Sequence, residues 1–289
     1  MVDVREIITK AQDDVDLTAD ETASLYRIPL FSHESAMIQM SARLKSRKAS
    51  MQKAEIHGRL VLDHLDVDEA VILAEGFVAE GAGAVVIRAS LNCPLEKLRR
   101  TVAEIRRSAG DDILLAAEPE VTDLSHVAEL GRAGCNGYVC QMPRAGGVSG
   151  GFENELEAAA GAGLRVGMIL PALSADDDIE WLVRNTLAAR DAEPAFVSVS
   201  RAVDGTQGGI SEARLAHTVG VIRLALFGDT PGVGLFEASV SGSIAGANLL
   251  YADVPTNDKS SVMSMADCRR VFAESEWQVH DGPSLMYRS

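Results

Sequence analysis

EIHGRLVLDHLDVDE, residues 55–69, changes character once along its length. Ile56 to Leu62 is apolar and β-prone, which predicts a buried strand, and Asp66 or Asp68 offers a carboxylate N-cap for a following helix. Almost nothing separates the two. A buried strand running directly into a capped helix is the repeating unit of a (β/α)8 barrel, where chemistry sits on the strand-to-helix turns.

Downstream the alternation continues. Strand-like runs follow at AVVIRAS (from Ala84), DILLAAE (from Asp112), GYVCQM (from Gly137), RVGMIL (from Arg165), AFVSVS (from Ala195), GVGLFE (from Gly232) and NLLYAD (from Asn248). They are short and apolar, as strands covered on both faces are. Amphipathic helices lie between them. PLEKLRRTVAEIRRSAG carries Leu95, Leu98, Val102 and Ile105 on one side, and DDDIEWLVRNTLAARD carries Ile179, Leu182, Val183 and Leu187. The connection from Ala238 to Ala247 is short enough for only a turn or two of helix. The fold expected is α/β, a (β/α)8 TIM-type barrel over residues 55–289 with an N-terminal helical extension over residues 1–54. A doubly wound open sheet is the competitor, but no G-x-G-x-x-G follows the first strand.

Upstream, Thr18 and Glu21 form a capping box for a helix from about Ala19 to Tyr26, which stops before Pro29. A second helix from about Ser32 to Lys48 ends in Lys45, Arg47 and Lys48, cations that suit the negative end of its dipole.

Lys+Arg 27 against Asp+Glu 42 leaves a formal charge of −15. So acidic a protein repels phosphate backbones and anionic lipid, so neither nucleic acid nor membrane is an expected partner. The N-terminus, MVDVREIITKAQDD, lacks the apolar core of a signal peptide, and no apolar run approaches the ~20 residues that span a bilayer. A cytoplasmic location is expected. Cys93, Cys135, Cys140 and Cys268 are scattered, without the tight pairs that bind zinc or iron–sulfur centres, and read as reduced thiols.

The strand ends nominate the candidate site: Arg88 and Ser90, Glu118 and Glu120, Gln141, Ser200 and Arg201, Glu237 and Ser239, and Asp253. Arg88 and Arg201 suit a carboxylate, with Ser90, Gln141 and Ser200 as further ligand contacts. Glu118 and Glu237 suit an amine, or an acid and base. The same groups can instead pair with one another across a disused mouth. A metal set from His57, His64, Glu118 and Glu237 lacks any H-x-H or H-x-x-x-H pair, and no metal is expected. The glycine-rich residues 144–151 read either as an anion-binding loop or as a cover over the mouth.

Several stretches, in order, resemble one family. LTADETASLYRIPLF is similar to its N-terminal helices and AFVSVSRAVDGTQ to its sixth strand and turn, where Gly205-Thr206-Gln207 stands for a Gly-Thr-Pro. IAGANLLYADVP is similar to its last strand, and MADCRRVFAESEWQV to its closing helix. Together they resemble the biotin synthase / 3-methylornithine synthase-like branch of the radical S-adenosylmethionine superfamily, in degenerate form. The resemblance implies a [4Fe–4S] cluster on C-x-x-x-C-x-x-C after strand one, and here Leu62-Asp63-His64-Leu65-Asp66 fills that place without a cysteine. Arg88-Ala89-Ser90 replaces the family's Gly-Glu, and Pro171 and Ser174 replace half of its G-x-I-x-G-x-x-E.

The expectation is a pseudoenzyme of cofactor or amino-acid biosynthesis. It would hold no [4Fe–4S] cluster and serve as a binding or scaffold subunit beside an active homologue or pathway enzyme. Two alternatives stand: a cluster-independent barrel enzyme of lyase or isomerase type acting on a small amino or carboxylic acid, and a carrier of a small molecule or cofactor precursor.

Overall fold

Side chains along residues 53–61 alternate sides, and the two sides meet different partners. The computed structural model of the chain describes residues 3–90, 92–110, 113–120, 124–144, 150–202, 209–254 and 263–287. In it Ile56 and Leu60 face outward into the main apolar core, while Glu55, His57 and Arg59 face inward.

Three helices, α1 (Val4–Gln12), α2 (Ala19–Tyr26) and α3 (His33–Ala49), precede β1 (Lys53–Val61). Then come α4 (Val67–Ala79), β2 (Ala84–Ala89), α5 (Leu95–Ala109), β3 (Leu115–Pro119), α6 (Leu124–Ala133) and β4 (Gly137–Gln141). The order continues with α7 (Gly150–Gly161), β5 (Arg165–Ile169), α8 (Ile179–Asp191), β6 (Phe196–Val199), α9 (Glu212–Ala225) and β7 (Gly232–Leu235). Last are α10 (Val240–Ile244), β8 (Leu249–Asp253), α11 (Met265–Glu274) and β9 (Gln278–Val279). Strands β2 to β8 pair in sequence, and β1 closes the ring, in parallel register with β2 (His57↔Ala84) and with β8 (Glu55↔Leu249). This is a (β/α)8 TIM barrel.

The first strand ends one residue before the expected Leu62 and starts earlier, at Lys53, and Leu62–His64 is a single 3-10 turn. Asp66 is the N-cap of α4, in a capping box with Glu69. Gly58 is required by close approach, because a Cβ there would lie inside the ring of Phe77 on α4. The third strand begins at Leu115, later than Asp112, which lies outside the described residues.

The barrel floor is the main feature the sequence left unread. After α11, β9 pairs with Lys53 and Ala54, and the following segment turns under the cylinder. Tyr287 stacks on His57 at 5.8 Å and meets Phe196 edge-on at 5.8 Å, with Met286 beside it in the interior cluster. Glu55 accepts from the Leu285 N–H at 2.7 Å and from the Ser284 hydroxyl, and pairs with His57 Nε2 at 3.1 Å.

The extension packs on α8 and α9. Tyr26 Oη meets Thr186 Oγ1 at 2.7 Å, and His217 Nε2 lies 3.0 Å from the Leu25 carbonyl. A carbonyl only accepts, so Nε2 carries the proton and Nδ1 accepts from Ser35 Oγ at 3.0 Å. Lys45 is not merely a helix-end cation. It is buried, donates to the carbonyls of Ala11 (2.6 Å) and Leu224 (3.2 Å), and pairs with Asp14 at 3.1 Å. Among the described residues no helix is long and apolar enough to cross a membrane.

Candidate functional site

Inward positions two residues apart carry charge from the barrel interior up to its C-terminal mouth. On β1, Arg59 follows His57 at this spacing, and on β3, Glu118 is fully buried. Arg59 reaches over β2 to grip Glu118 through both guanidinium edges, Nε to Oε2 at 3.0 Å and Nη2 to Oε1 at 2.7 Å. Gln141, at the end of β4 and exposed, donates to Glu118 Oε1 at 3.0 Å. Arg88 lies 3.6 Å from the same oxygen and directs Nη2 to Glu120 at 2.7 Å. A bidentate guanidinium–carboxylate pair this dry holds its geometry only while both partners remain.

Aromatic rings support the pair. The Arg59 guanidinium lies 4.8 Å above Phe236, which stacks on Tyr251 at 4.3 Å and 8°, and Tyr251 Oη meets Ser198 Oγ at 2.8 Å. Burial alone would lower the Arg59 pKa, but Glu118, with smaller help from Asp253 and Tyr251, holds Arg59 above the ordinary arginine value. Asp253, at the end of β8, is shifted the other way: burial raises its pKa, Arg59 opposes the rise and Glu118 adds to it.

A second group sits on the opposite side of the ring. Arg201 Nε meets Glu237 Oε1 at 3.0 Å and its N–H donates to Oε2 at 3.2 Å, while Nη1 lies 3.4 Å from Glu212. Burial raises the Glu237 pKa, against the pull of Arg201. Ser239 donates to Glu212 and caps α10 by accepting from Gly242 N–H at 2.8 Å. Ser200 takes part through its carbonyl, which accepts from Leu173 N–H at 2.7 Å.

The candidate residues therefore divide. Arg88, Glu118, Glu120 and Gln141 come together, and Arg201 and Glu237 form a separate group with Glu212. Ser90 is bound elsewhere, donating its hydroxyl to Asp63 in the turn after β1. This bond lowers the Asp63 pKa below the carboxylate range, against a larger opposing effect of burial, once the backbone bonds and His64 add to it. Lys97 ties the same turn down from α5 through the Leu62 carbonyl at 2.6 Å. Arg59, Phe236, Tyr251, Ser198 and Glu212 were not singled out in the sequence; the inward parity of Glu55, His57 and Arg59 was the signal for the first of them. Glycine-rich residues 145–149 and Gly205, Thr206 and Gln207 lie outside the described residues.

The donor set does not fit a cluster. Cys93 lies between β2 and α5, Cys135 ahead of β4, Cys140 on the outer face of β4 and Cys268 on α11. Burial pushes the Cys135 and Cys268 thiols up to about 12, far from the thiolate an iron ligand requires. His57 faces the floor, against Glu55 and Tyr287, rather than joining Glu237. Among the described residues no three His, Cys, Asp or Glu side chains are arranged to hold a metal ion.

No protein-family profile and no curated protein matches the chain. Among solved structures it is similar to the FeFe-hydrogenase maturase HydG from Carboxydothermus hydrogenoformans, with TM-score 0.79 and 15% identity over 99% of this chain and 81% of that one. It is also similar to methylornithine synthase (PylB), with TM-score 0.78 and 13% identity over 97% and 98% of the two chains. A tetrameric deoxyribose phosphate aldolase from Aeropyrum pernix aligns less fully, with TM-score 0.53 and 16% identity over 76% and 94%. At these identities the likeness is one of fold alone, the (β/α)8 barrel.

Proposed function

We propose that this barrel works without a [4Fe–4S] cluster and binds a small polar ligand at its C-terminal mouth, as a non-catalytic subunit in the cytoplasm. The observation that carries this reading is the Arg59–Glu118 pair. The carboxylate nominated as acid or base is fully buried and engaged by two guanidinium bonds and an amide. A carboxylate whose oxygens are already bound this way is not free to reach a substrate atom. The turn after β1 adds to it: three residues of 3-10 helix run into the Asp66 cap and carry no thiol. Solvent still reaches the Arg88 and Arg201 side chains, exposed by 33% and 32%, so the rim remains open to a ligand. The partner in this reading is an active homologue or pathway enzyme.

Anaerobic reconstitution with iron and sulfide tests it. The expected product is colourless, with no stoichiometric iron and no reductive cleavage of S-adenosylmethionine. A brown protein with four irons per chain that cleaves the sulfonium overturns it. Affinity capture of the full chain from its own cells is expected to bring down a stoichiometric enzyme partner.

A second reading, polar lyase or isomerase chemistry, is favoured by Glu237 alone, whose raised pKa suits a proton donor. It requires that turnover be found and that Glu237→Ala abolish it in a folded protein. The carrier reading predicts instead a metabolite that co-purifies and is seen by native mass spectrometry.

A further inference from the structure

We infer that the mouth ligand is a small aliphatic primary amine, seated as its ammonium ion on the carboxylate of Asp253. The inference rests on the reading of the mouth as a small-ligand site and names the chemistry of what enters it.

Asp253 and Arg59 are register partners on neighbouring strands, and Arg59 is the cation nearest to hand along the ladder. Arg59 turns away, directing Nε and Nη2 to Glu118. Asp253 Oδ1 is left buried, and among the described residues no donor comes within hydrogen-bond distance of it. A buried carboxylate oxygen without a donor is rare in a folded protein and marks a place for one. Tyr138, Glu155 and Glu55 are buried as well, but each has its partner.

Charge points the same way. At this end of β1, β2, β3 and β8 the carboxylates of Glu118, Glu120 and Asp253 face the guanidiniums of Arg59 and Arg88, and both guanidiniums already hold carboxylates. Arg201, across the ring, is held by Glu237 and Glu212. Among the described residues each of these arginines already holds a carboxylate, whereas the Asp253 carboxylate has an oxygen with no donor. Among the described residues no three-donor metal set exists, so a cation that supplies its own hydrogen-bond donors is the better match. An alkylammonium does so with three N–H groups. Phe236, partly exposed and stacked on Tyr251, which lies two residues before Asp253 and faces the same way, gives the alkyl chain an apolar surface.

Isothermal titration of the full chain with n-butylamine, 1,4-diaminobutane and butanoate tests the inference. Asp253→Asn removes the charge and keeps the shape. Glu180→Gln, on the exposed side of α8, controls for general attraction of amines to an acidic protein. The expected result is one amine per chain, weakened about ten-fold or more by Asp253→Asn and within about two-fold for Glu180→Gln. Thermal melts give a readout that does not depend on the variant folding: the wild-type midpoint rises with either amine and not with butanoate. Butanoate binding without amine binding overturns the amine assignment and leaves the ligand site standing. Amine binding unchanged by Asp253→Asn overturns the assignment to Asp253. If neither class binds, both this inference and the ligand-binding reading fall.

Discussion

Glu55 and Leu285 lie 230 residues apart in sequence, yet the Leu285 N–H donates to the Glu55 carboxylate at 2.7 Å in the barrel floor. With Ser284 and His57 on the other oxygen, one side chain of the first strand secures the segment that closes the cylinder.

That bond makes the floor sensitive to acid. Burial would raise the Glu55 pKa, but the bonds from His57, Ser284 and Leu285 together hold it below the ordinary glutamate value. A lowered folded-state pKa stabilises the fold above the unfolded pKa of about 4.3, and that gain disappears as pH falls through the lower folded value. Glu55→Gln is expected to cost about 2–3 kcal/mol at pH 7. Urea titrations should show the gap to wild type closing in acid.

Tyr287 fits because residue 137 has no side chain. A Cβ on Gly137 would fall within the Tyr287 ring. Gly137→Ala is therefore expected to cost about 1–3 kcal/mol through overpacking. Tyr287→Ala costs about 3–5 kcal/mol by itself, from the lost ring and the cavity left behind. Because the clash needs both groups, the double variant should be more stable than the sum of the two losses implies, by a coupling of about 1 kcal/mol or more in a double-mutant cycle.

Glu118→Gln should be milder than a broken buried ion pair usually is. Such breaks cost about 3–5 kcal/mol because a charge is stranded. Here Asp253 stands register-opposite Arg59 and can take the released guanidinium, so a loss of about 1–2 kcal/mol is expected. In Glu118→Gln/Asp253→Asn that refuge is gone, and chemical denaturation should show more than the sum of the single losses. The same turn of Arg59 toward Asp253 should weaken amine binding in Glu118→Gln.

On the outer side of β4, Tyr138 Oη donates to Glu155 on α7 at 2.7 Å. Burial raises the Glu155 pKa and the Tyr138 bond only partly opposes it. A raised folded-state value favours folding at low pH, and that advantage is lost as pH rises through it. Glu155→Gln removes the ionised form and is expected to raise Tm by about 2–4 °C at pH 7.5, an increment near 1 kcal/mol, and by less at pH 4.5.

What could be read from sequence was local. The capping box at Thr18 rests on residues three apart, the N-cap at Asp66 or Asp68 on a carboxylate just ahead of its helix, and the barrel alternation on runs of a few residues. Both elements stand where their residues place them. The mouth was legible as a set of strand ends, but not as groups. Glu118 and Glu237 look alike in the chain, and the ring sets them on β3 and beyond β7, each with its own arginine. Whether Arg59 would choose Asp253 beside it or Glu118 two strands away depends on side-chain reach, which no spacing rule encodes. The floor was hidden for a related reason. Ser284 to Tyr287 has no periodicity, and its place is decided by a cavity formed from other strands.

Pairing of β1 with β8 brings Glu55 against Leu249 and Arg59 against Asp253. This seam joins distant parts of the chain, and loop closure of that span precedes any reward from the contacts it makes. Until it is sealed, the outermost strands of a half-built sheet offer unpaired edges to other molecules. Refolding should accordingly be slow and its yield should fall with protein concentration, whatever the stability of the finished cylinder.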